Sequence, residues 1–463
     1  MYLNRTIDIA LKNWSDKTDR KPLLVRGARQ VGKSTAIRHL GLSFKYFAEI
    51  NFEKNLNAGV FFKQDLDVKR IIQQLSALIG VPIIPGETLL FMDEIQSCPE
   101  AIMSLRFFKE DLPGLHVIGA GSLLEFALAE LPTFGVGRIH SIYMYPMSFD
   151  EFLESCGEKI LMEARDSASA SNPLPNPHHE KLVSLFRTFL LIGGMPAAVR
   201  EWVKTSDYNS CAEILDDLVS GYESDFPKYR KKIDPELLRL TLRSCALQTS
   251  RKFNYSQVGN GYKTDQVKKA IEMLILAGLI IPVTKSAANG IPLGAEIDPS
   301  DKKMLLLDTG ILLRMLNMVF GDISDITADI LTATAADLVN KGTVAEMSAG
   351  LEMVKYASSN IRHELFYWTR NAKNSQAEVD YVTNYLYNIV PIEVKANVQG
   401  GMKSLWMFMR EKNITKAVRT SLENFGKINY SDKNNDGNQA ERIVEICPLY
   451  ALSSLSRIIR QMF

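Results

Sequence analysis

Residues 23–41 read LLVRGARQVGKSTAIRHLG. Three apolar residues suited to a buried strand run into Gly27, four residues, then Gly32, Lys33 and Ser34, and a helix-forming stretch follows. Glycines let backbone N–H groups wrap an anionic phosphate, and a helix N-terminus adds the positive end of its dipole. Lys33 can reach the outer phosphate oxygens, and Ser34 offers a hydroxyl to Mg²⁺. Gly27, Ala28, Arg29, Gln30, Val31, Gly32, Lys33, Ser34 and Thr35 are therefore expected to cradle a nucleoside triphosphate.

Outward from this loop, YFAEINF (46–52), TLLFMD (88–93), HVIGAG (116–121) and IHSIYMY (139–145) are further short apolar runs separated by amphipathic segments. Such alternation predicts an α/β unit with a largely parallel sheet. Asp93 and Glu94 fall at the C-terminal end of a hydrophobic strand, where open α/β sheets present ligand groups. Asp93 is expected in the Mg²⁺ shell and Glu94 as the general base that polarises the attacking water; the plainer reading is a helix cap. Ser122 follows the fourth strand, placed to sense the terminal phosphate or orient water, or else to sit solvated in a loop. Arg138 is a candidate phosphate-contacting or trans-acting arginine, with a surface salt bridge as the alternative.

The 463 residues suggest about three domains. Apolar residues make up 46% and charged residues 23%, which excludes global disorder, and 54 Lys+Arg against 53 Asp+Glu leaves no bulk charge to draw nucleic acid or membrane. Any basic surface must be local. Five cysteines, at 98, 156, 211, 245 and 447, include no C-x-x-C, so reduced thiols in a cytoplasmic setting are expected. No run of 18 apolar residues predicts a membrane span. The domain reading is a phosphate-loop core at 1–155, a helical lid at 156–232 with an exposed loop at 166–179, a winged helix at 233–300, and a second α/β domain at 301–463. The winged helix rests on ELLRLTLRSCALQTS, FNYSQVGN and YKTDQVKKAIEMLILAGLI followed by a strand hairpin; that shape serves a protein contact as readily as DNA.

GARQVGKS, FMDEIQ, GAGS, GR before YPMSFDEFL, LIGGMP, SDFPKY, LAGLI and LLDTGIL together resemble the prokaryotic AAA-type ATPases that carry a C-terminal restriction-endonuclease-like domain. The resemblance runs from about residue 20 to about 400. It implies an α/β multidomain chain: a P-loop NTPase core with the catalytic glutamate beside the metal-binding aspartate, a small helical lid, a winged helix and the nuclease-like α/β domain. It also implies ATP rather than GTP. This chain has GVGR where the family pattern usually has LAGR, which loosens the role of Arg138.

In the last domain, AEVDYV (377–382) and PIEVKA (391–396) set Asp380, Glu393 and Lys395 on two strands close enough to form a hairpin. Residues i and i+2 share a strand face, so Glu393 and Lys395 point the same way. Two carboxylates and a lysine suit metal-assisted phosphodiester hydrolysis, and a cross-strand salt bridge is the alternative. The resemblance adds Glu346, on the helix TVAEMSAGLEMVKY, as a third acid. Glu378 shares the face of Asp380 but lies one pair further out and is left outside the set.

The expected function is an Mg²⁺-dependent ATP-binding and ATP-hydrolysing protein whose nuclease-like domain acts on or docks DNA or RNA under nucleotide control. The alternative is a nucleotide-dependent switch that docks a protein partner, with the nuclease-like domain as scaffold. An oligomeric remodeller using Arg138 between subunits is a third reading; the sequence does not define the oligomeric state.

Overall fold

Five short strands build the first sheet: β1 (Leu23–Arg26), β2 (Tyr46–Asn51), β3 (Thr88–Asp93), β4 (His116–Ala120) and β5 (His140–Tyr143). Every residue of β3 and β4 is buried, the pattern of strands covered on both faces. Their order is β2-β3-β4-β1-β5 and all pairs are parallel. The crossovers carry α1 (Thr6–Ser15, before β1), α2 (Lys33–Gly41), α3 (Val60–Gln64), α4 (Val68–Ile79), α5 (Pro99–Asp111) and α6 (Leu124–Glu130). Asp67 caps α4 by accepting from the N–H groups of Lys69 and Arg70, and Gly80 ends it at φ +67°. Pro99 opens α5 at a position that needs no N–H. Ile50, Phe62, Ile71, Leu90, Ile102, Leu105 and their neighbours form the core under this sheet.

This computed structural model describes residues 2–122, 124–130, 137–230, 232–316, 341–372, 375–396, 401–433, 437 and 439–463. The chain divides into two compact units. The first is Met1–Met147 with two later insertions, Leu276–Leu279 and Ser358–Arg362. Ser358–Arg362 lies along β5: Tyr143 donates its N–H to Ser359 O at 2.8 Å, and His140 Nε2 lies 3.0 Å from Asn360 Oδ1.

The second unit comprises Ser148–Ile275, Ile280–Ala357 and His363–Phe463. It opens with helices α7 (Phe149–Ser155), α8 (Lys159–Ser167), α9 (Asn176–Ile192), α10 (Pro196–Thr205) and α11 (Tyr208–Asp225), then α12 (Pro235–Leu247) and α13 (Thr264–Leu276). Ser148 and Glu151 cap α7 reciprocally. The stretch read as an exposed loop at 166–179 is shorter than expected, because α8 runs to Ser167 and α9 starts at Asn176. Leu174 in its middle is buried, with Asn424 bonded to its backbone N–H and C=O.

Eight strands follow: β6 (Ile280–Ser286), β7 (Ile297–Leu306), β8 (Leu365–Ala372), β9 (Ser375–Tyr385), β10 (Asn388–Val394), β11 (Lys416–Ser421), β12 (Gly426–Lys433) and β13 (Gln439–Pro448). With them come α14 (Thr309–Met315), α15 (Lys341–Lys355), α16 (Lys403–Glu411) and α17 (Leu455–Met462). They form one mixed sheet, ordered β12-β13-β11-β10-β9-β8-β6-β7. The hairpin β6–β7, grouped by sequence with the helices before it, is thus hydrogen-bonded into the C-terminal sheet through β8. β6 is largely buried and is paired on both sides, by β7 and β8, whereas β7 is the edge strand and is buried only from Asp301 onward. Trp368 stacks edge-on against Phe408 at 4.9 Å within the core of this sheet. All five cysteines are free, and among the described residues no helix is long and apolar enough to cross a membrane.

Candidate functional site

The loop from β1 to α2 uses three left-handed backbone positions, Gly27 (φ +142°), Gln30 (φ +64°) and Gly32 (φ +100°). Gly27 is fixed by more than its dihedral, because a Cβ there would lie 2.1 Å from the carbonyl O of Met144. Arg5, itself buried, braces the loop by donating to Val31 O and to Tyr145 O, each at 2.8 Å. Gly278, in the turn after α13, approaches so closely that a Cβ would meet Ala28 N at 3.1 Å.

Lys33 is buried, and its Nζ donates to Gly27 O at 2.9 Å and Ala28 O at 2.7 Å. The ammonium thus stands inside the loop, where phosphate oxygens would replace the carbonyl partners. Burial pushes its pKa down to about 8, with Glu94 and Asp93 offsetting part of that. The protonated lysine of the free protein is therefore lost as pH rises past about 8, well below its ordinary 10.5. Phosphate anions favour the ammonium, so a nucleoside triphosphate bound at this loop above pH 8 would bring with it the uptake of a proton. ATP affinity measured calorimetrically is expected to fall by up to about tenfold per pH unit above pH 8 and to be flat below pH 7. Equal affinity at pH 7 and pH 9.5 would rule out the depressed lysine.

Ser34 Oγ donates to Asp93 Oδ1 at 3.0 Å, so the loop hydroxyl and the strand-end carboxylate converge on one point. Asn51, at the end of β2, donates to Asp93 Oδ2 at 3.1 Å, and Arg38 NH2 stands 3.6 Å from the same oxygen. A hydroxyl and a carboxylate beside a phosphate loop are the donor set Mg²⁺ accepts. The residues fit that ion.

Glu94 is in the left-handed region, at φ +48° and ψ +44°. A non-glycine residue there costs about 1–2 kcal/mol and recurs at sites where a side chain must be aimed. Its Oε2 accepts from Gln96 Nε2 at 2.7 Å, Ser122 N–H at 3.2 Å and Ser122 Oγ at 3.5 Å. Because β4 lies between β1 and β3, the residue after β4 arrives between the phosphate loop and the acidic pair. Ser122 therefore touches the carboxylate of Glu94.

Arg138 is half exposed and paired with Glu110 near the C-terminal end of α5. It precedes β5, whereas the phosphate loop follows the C-terminal end of parallel β1. A four-residue strand spans about 13 Å at roughly 3.3 Å per residue, so Arg138 sits at the opposite end of the strands from its own phosphate loop. Asn51, Gln96 and Arg38 were not singled out from sequence, although Asn51 carries a legible signal as a polar residue at the C-terminal end of a parallel strand.

A second cluster lies in the other unit. Strands β9 and β10 are antiparallel, joined through Leu386-Tyr387, with Ile392 opposite Tyr381, so the register sets Glu393 against Asp380 on one face. Asp380 Oδ2 accepts from Val394 N–H at 2.8 Å, and Lys395 Nζ donates to Glu393 Oε1 at 2.5 Å. Glu346 comes from α15, anchored by Tyr381 OH donating to its backbone O at 2.7 Å. Carboxylate oxygens of Glu346, Glu378 and Asp380 lie within 4.8 Å of one another. Glu378, left out by the sequence reading, is thus in the cluster, whereas Glu393 is tied to Lys395.

Sequence reasoning also missed Lys303 of β7. Its side chain is fully buried, and Nζ donates to Glu346 Oε1 at 2.7 Å and Glu378 Oε1 at 2.5 Å, 4.9 Å from the Tyr367 ring centre. Burial alone would lower its pKa, but the surrounding carboxylates outweigh it and hold the ammonium above its ordinary value. Burial raises Glu346 and Asp380, against the pull of Lys303, and raises Glu393 to about 7 with Asp380 adding to the effect. The next polar layer is Asp301, buried, bonded to Lys252 at 2.7 Å and to Tyr367 OH.

Residues 19–153 match the family model described as an AAA domain. Residues 183–320 and 341–450 match models described as domains of unknown function, DUF8612 and DUF4143. No curated protein matches the chain. An unliganded Pif1 structure from Bacteroides sp is similar at 14% identity, covering 37% of this chain and 53% of that one, with a TM-score of 0.20. A Signal Transduction ATPase with Numerous Domains protein with a tetratricopeptide repeat sensor, from Pyrococcus horikoshii, is similar at 12% identity, covering 76% and 48%, with a TM-score of 0.24. The chain spans about half the length of each, and neither likeness carries the fold assignment. In residues 19–153, then, the match to the AAA domain model coincides with the five-strand parallel sheet and the phosphate loop, as an AAA-type P-loop domain requires.

Proposed function

We propose that this chain is an Mg²⁺-dependent ATPase whose nucleotide state governs a restriction-endonuclease-like domain that acts on or docks nucleic acid in the cytoplasm. The observation that carries the ATPase reading is the convergence of Ser34 and Asp93 at 3.0 Å beside a Glu94 carboxylate held by Gln96 and Ser122. Ser34 and Asp93 would hold Mg²⁺, which supplies neutralising charge to the phosphates when bound. Lys33 would bind the outer phosphates, and Glu94 would accept the proton of the attacking water. The helices at 156–232 would serve as lid and the segment 233–300 as a winged helix.

The nuclease reading rests on Asp380, Glu393 and Lys395 lying on one hairpin with Glu346 from the adjoining helix. Carboxylates near a lysine suit metal-assisted attack on a phosphodiester. Lys303, already bonded to two of the acids, favours the second reading, in which the domain is a non-catalytic scaffold and the chain a nucleotide-dependent switch for a protein partner. Arg138, at the far end of the strands from its own phosphate loop, would serve phosphate chemistry only when supplied to a neighbouring subunit.

One paired assay separates these readings. Wild-type chain is expected to hydrolyse ATP with Mg²⁺ and Lys33→Ala to lose it. Beside it, a mixed panel of DNA and RNA is incubated with Mg²⁺ or Mn²⁺ and ATP, using Glu393→Ala as control. Cleavage that disappears in Glu393→Ala supports the nuclease. A chain that hydrolyses ATP yet cleaves nothing, and binds no nucleic acid at low salt, supports the switch.

A further inference from the structure

The carboxylate cluster of the second unit already holds a cation of its own. Lys303 Nζ is bonded to Glu346 Oε1 at 2.7 Å and to Glu378 Oε1 at 2.5 Å, two of the three carboxylates whose oxygens come close enough to share one ion. The lysine is fully buried, so this contact is not a casual surface pair. Burying an ammonium is costly unless anions surround it, and the same holds for the buried carboxylates Glu346 and Glu393 without a cation, whereas Glu378 stays 43% exposed. The cluster is also not satisfied by Lys303 alone. Glu393, opposite Asp380 in register, has Oε2 buried with no hydrogen-bond partner among the described residues, while its Oε1 is bonded to Lys395. Four carboxylates therefore face two ammonium groups, which leaves two negative charges uncompensated when all are ionised.

We propose that Lys303 is the resident cation of the Glu346, Glu378 and Asp380 cluster, and that a divalent ion binds there only by displacing its ammonium. A divalent ion and an ammonium cannot both sit within contact distance of the same two oxygens without strong repulsion, because like charges that close are poorly screened in a buried site. The lysine thus sets a threshold for metal entry. Its strand, β7, also carries Asp301, which bonds Lys252 and the Tyr367 hydroxyl above the cluster, so displacement of Lys303 would be felt in that layer. This inference rests on reading the carboxylates as a metal site and is independent of whether the site cleaves anything.

The test uses the full chain without nucleotide and Mn²⁺ as probe, followed by calorimetry. The increment of Mn²⁺ binding abolished by Asp380→Asn defines the cluster and subtracts any ion held at Ser34 and Asp93. Lys303→Met is expected to raise the Asp380-dependent affinity by about tenfold or more. Unchanged or weaker affinity in a folded Lys303→Met chain overturns the proposal. Should that variant fail to fold, the wild type answers by itself: Lys303 is expected to resist acetic anhydride without metal and to be acetylated when Mn²⁺ is added, as read by peptide mass. Asp380-dependent Mn²⁺ binding with Lys303 still protected overturns it, as does a wild type that binds no Asp380-dependent Mn²⁺ at any concentration up to its solubility limit. Cleavage is not read in either arm, so an inactive nuclease can pass and an active one can fail.

Discussion

Glu94→Gln is expected to bind ATP with affinity near that of the wild type while turnover drops by about 10²- to 10⁴-fold, the range associated with loss of a positioned general base. The amide keeps the shape of the carboxylate, and its oxygen can still accept from Gln96 Nε2 and from the N–H of Ser122. What it loses is the ability to take a proton from water. Binding should survive because the phosphate contacts belong to the loop, to Lys33 and to the Ser34–Asp93 pair, none of which the substitution touches. Single-turnover hydrolysis and equilibrium binding of ATP, measured on one preparation, check both halves. Turnover within threefold of the wild type would remove Glu94 from the chemistry and leave the residue as a turn former.

Gly27→Ala is the second large effect, and it acts on structure before chemistry. The position combines φ +142°, which side chains rarely adopt, with a Cβ site 2.1 Å from Met144 O. The obstacle is backbone, held in place by Met144 N–H donating to Arg26 O at 2.8 Å, and so cannot swing aside like a flexible side chain. Backbone strain of about 1–3 kcal/mol and forced displacement of a packed segment add, for a destabilisation of roughly 3 kcal/mol or more. For a unit of this size that corresponds to a fall of about 10 °C in its unfolding transition, with ATP binding lost. An alanine variant that melts and binds ATP as the wild type does would contradict the geometry of the loop.

The phosphate loop, the acidic pair and all five strands of the first sheet could be read from the sequence because each strand is a short apolar run, and the motif residues fall at strand ends where a parallel sheet collects them. The second unit was harder. In SDKKMLLLD two lysines adjoin, and only the strand register decides that Lys303 is buried while Lys302 is not. Glu378 was set aside as lying one pair further out than Asp380 on the same strand face, but the β8–β9 register shifts between Phe366 and Trp368, next to Asp380, and such an irregularity re-aims neighbouring side chains. The unit boundaries were also hidden, since LAGLI and the segment after α15 carry no compositional mark of belonging with the AAA domain. Strand β6 hid its membership for a related reason: a buried strand declares that it needs neighbours, without saying which.

The three-segment make-up of the first unit has a consequence for how the polypeptide matures. A chain leaving the ribosome presents residues 1–147 long before Leu276–Leu279, whose Gly278 closes against Ala28, and before Ser358–Arg362, which is hydrogen-bonded along the free edge of β5. At about 5–20 residues per second, roughly 10 to 40 s separate the emergence of Met147 from that of Arg362. During that interval the nascent first sheet has an unpaired edge, at β5, of the kind that invites wrong pairing between chains. Completion of the first unit is therefore tied to synthesis of the region that carries the second cluster, and a product terminated before Ser358 would lack both.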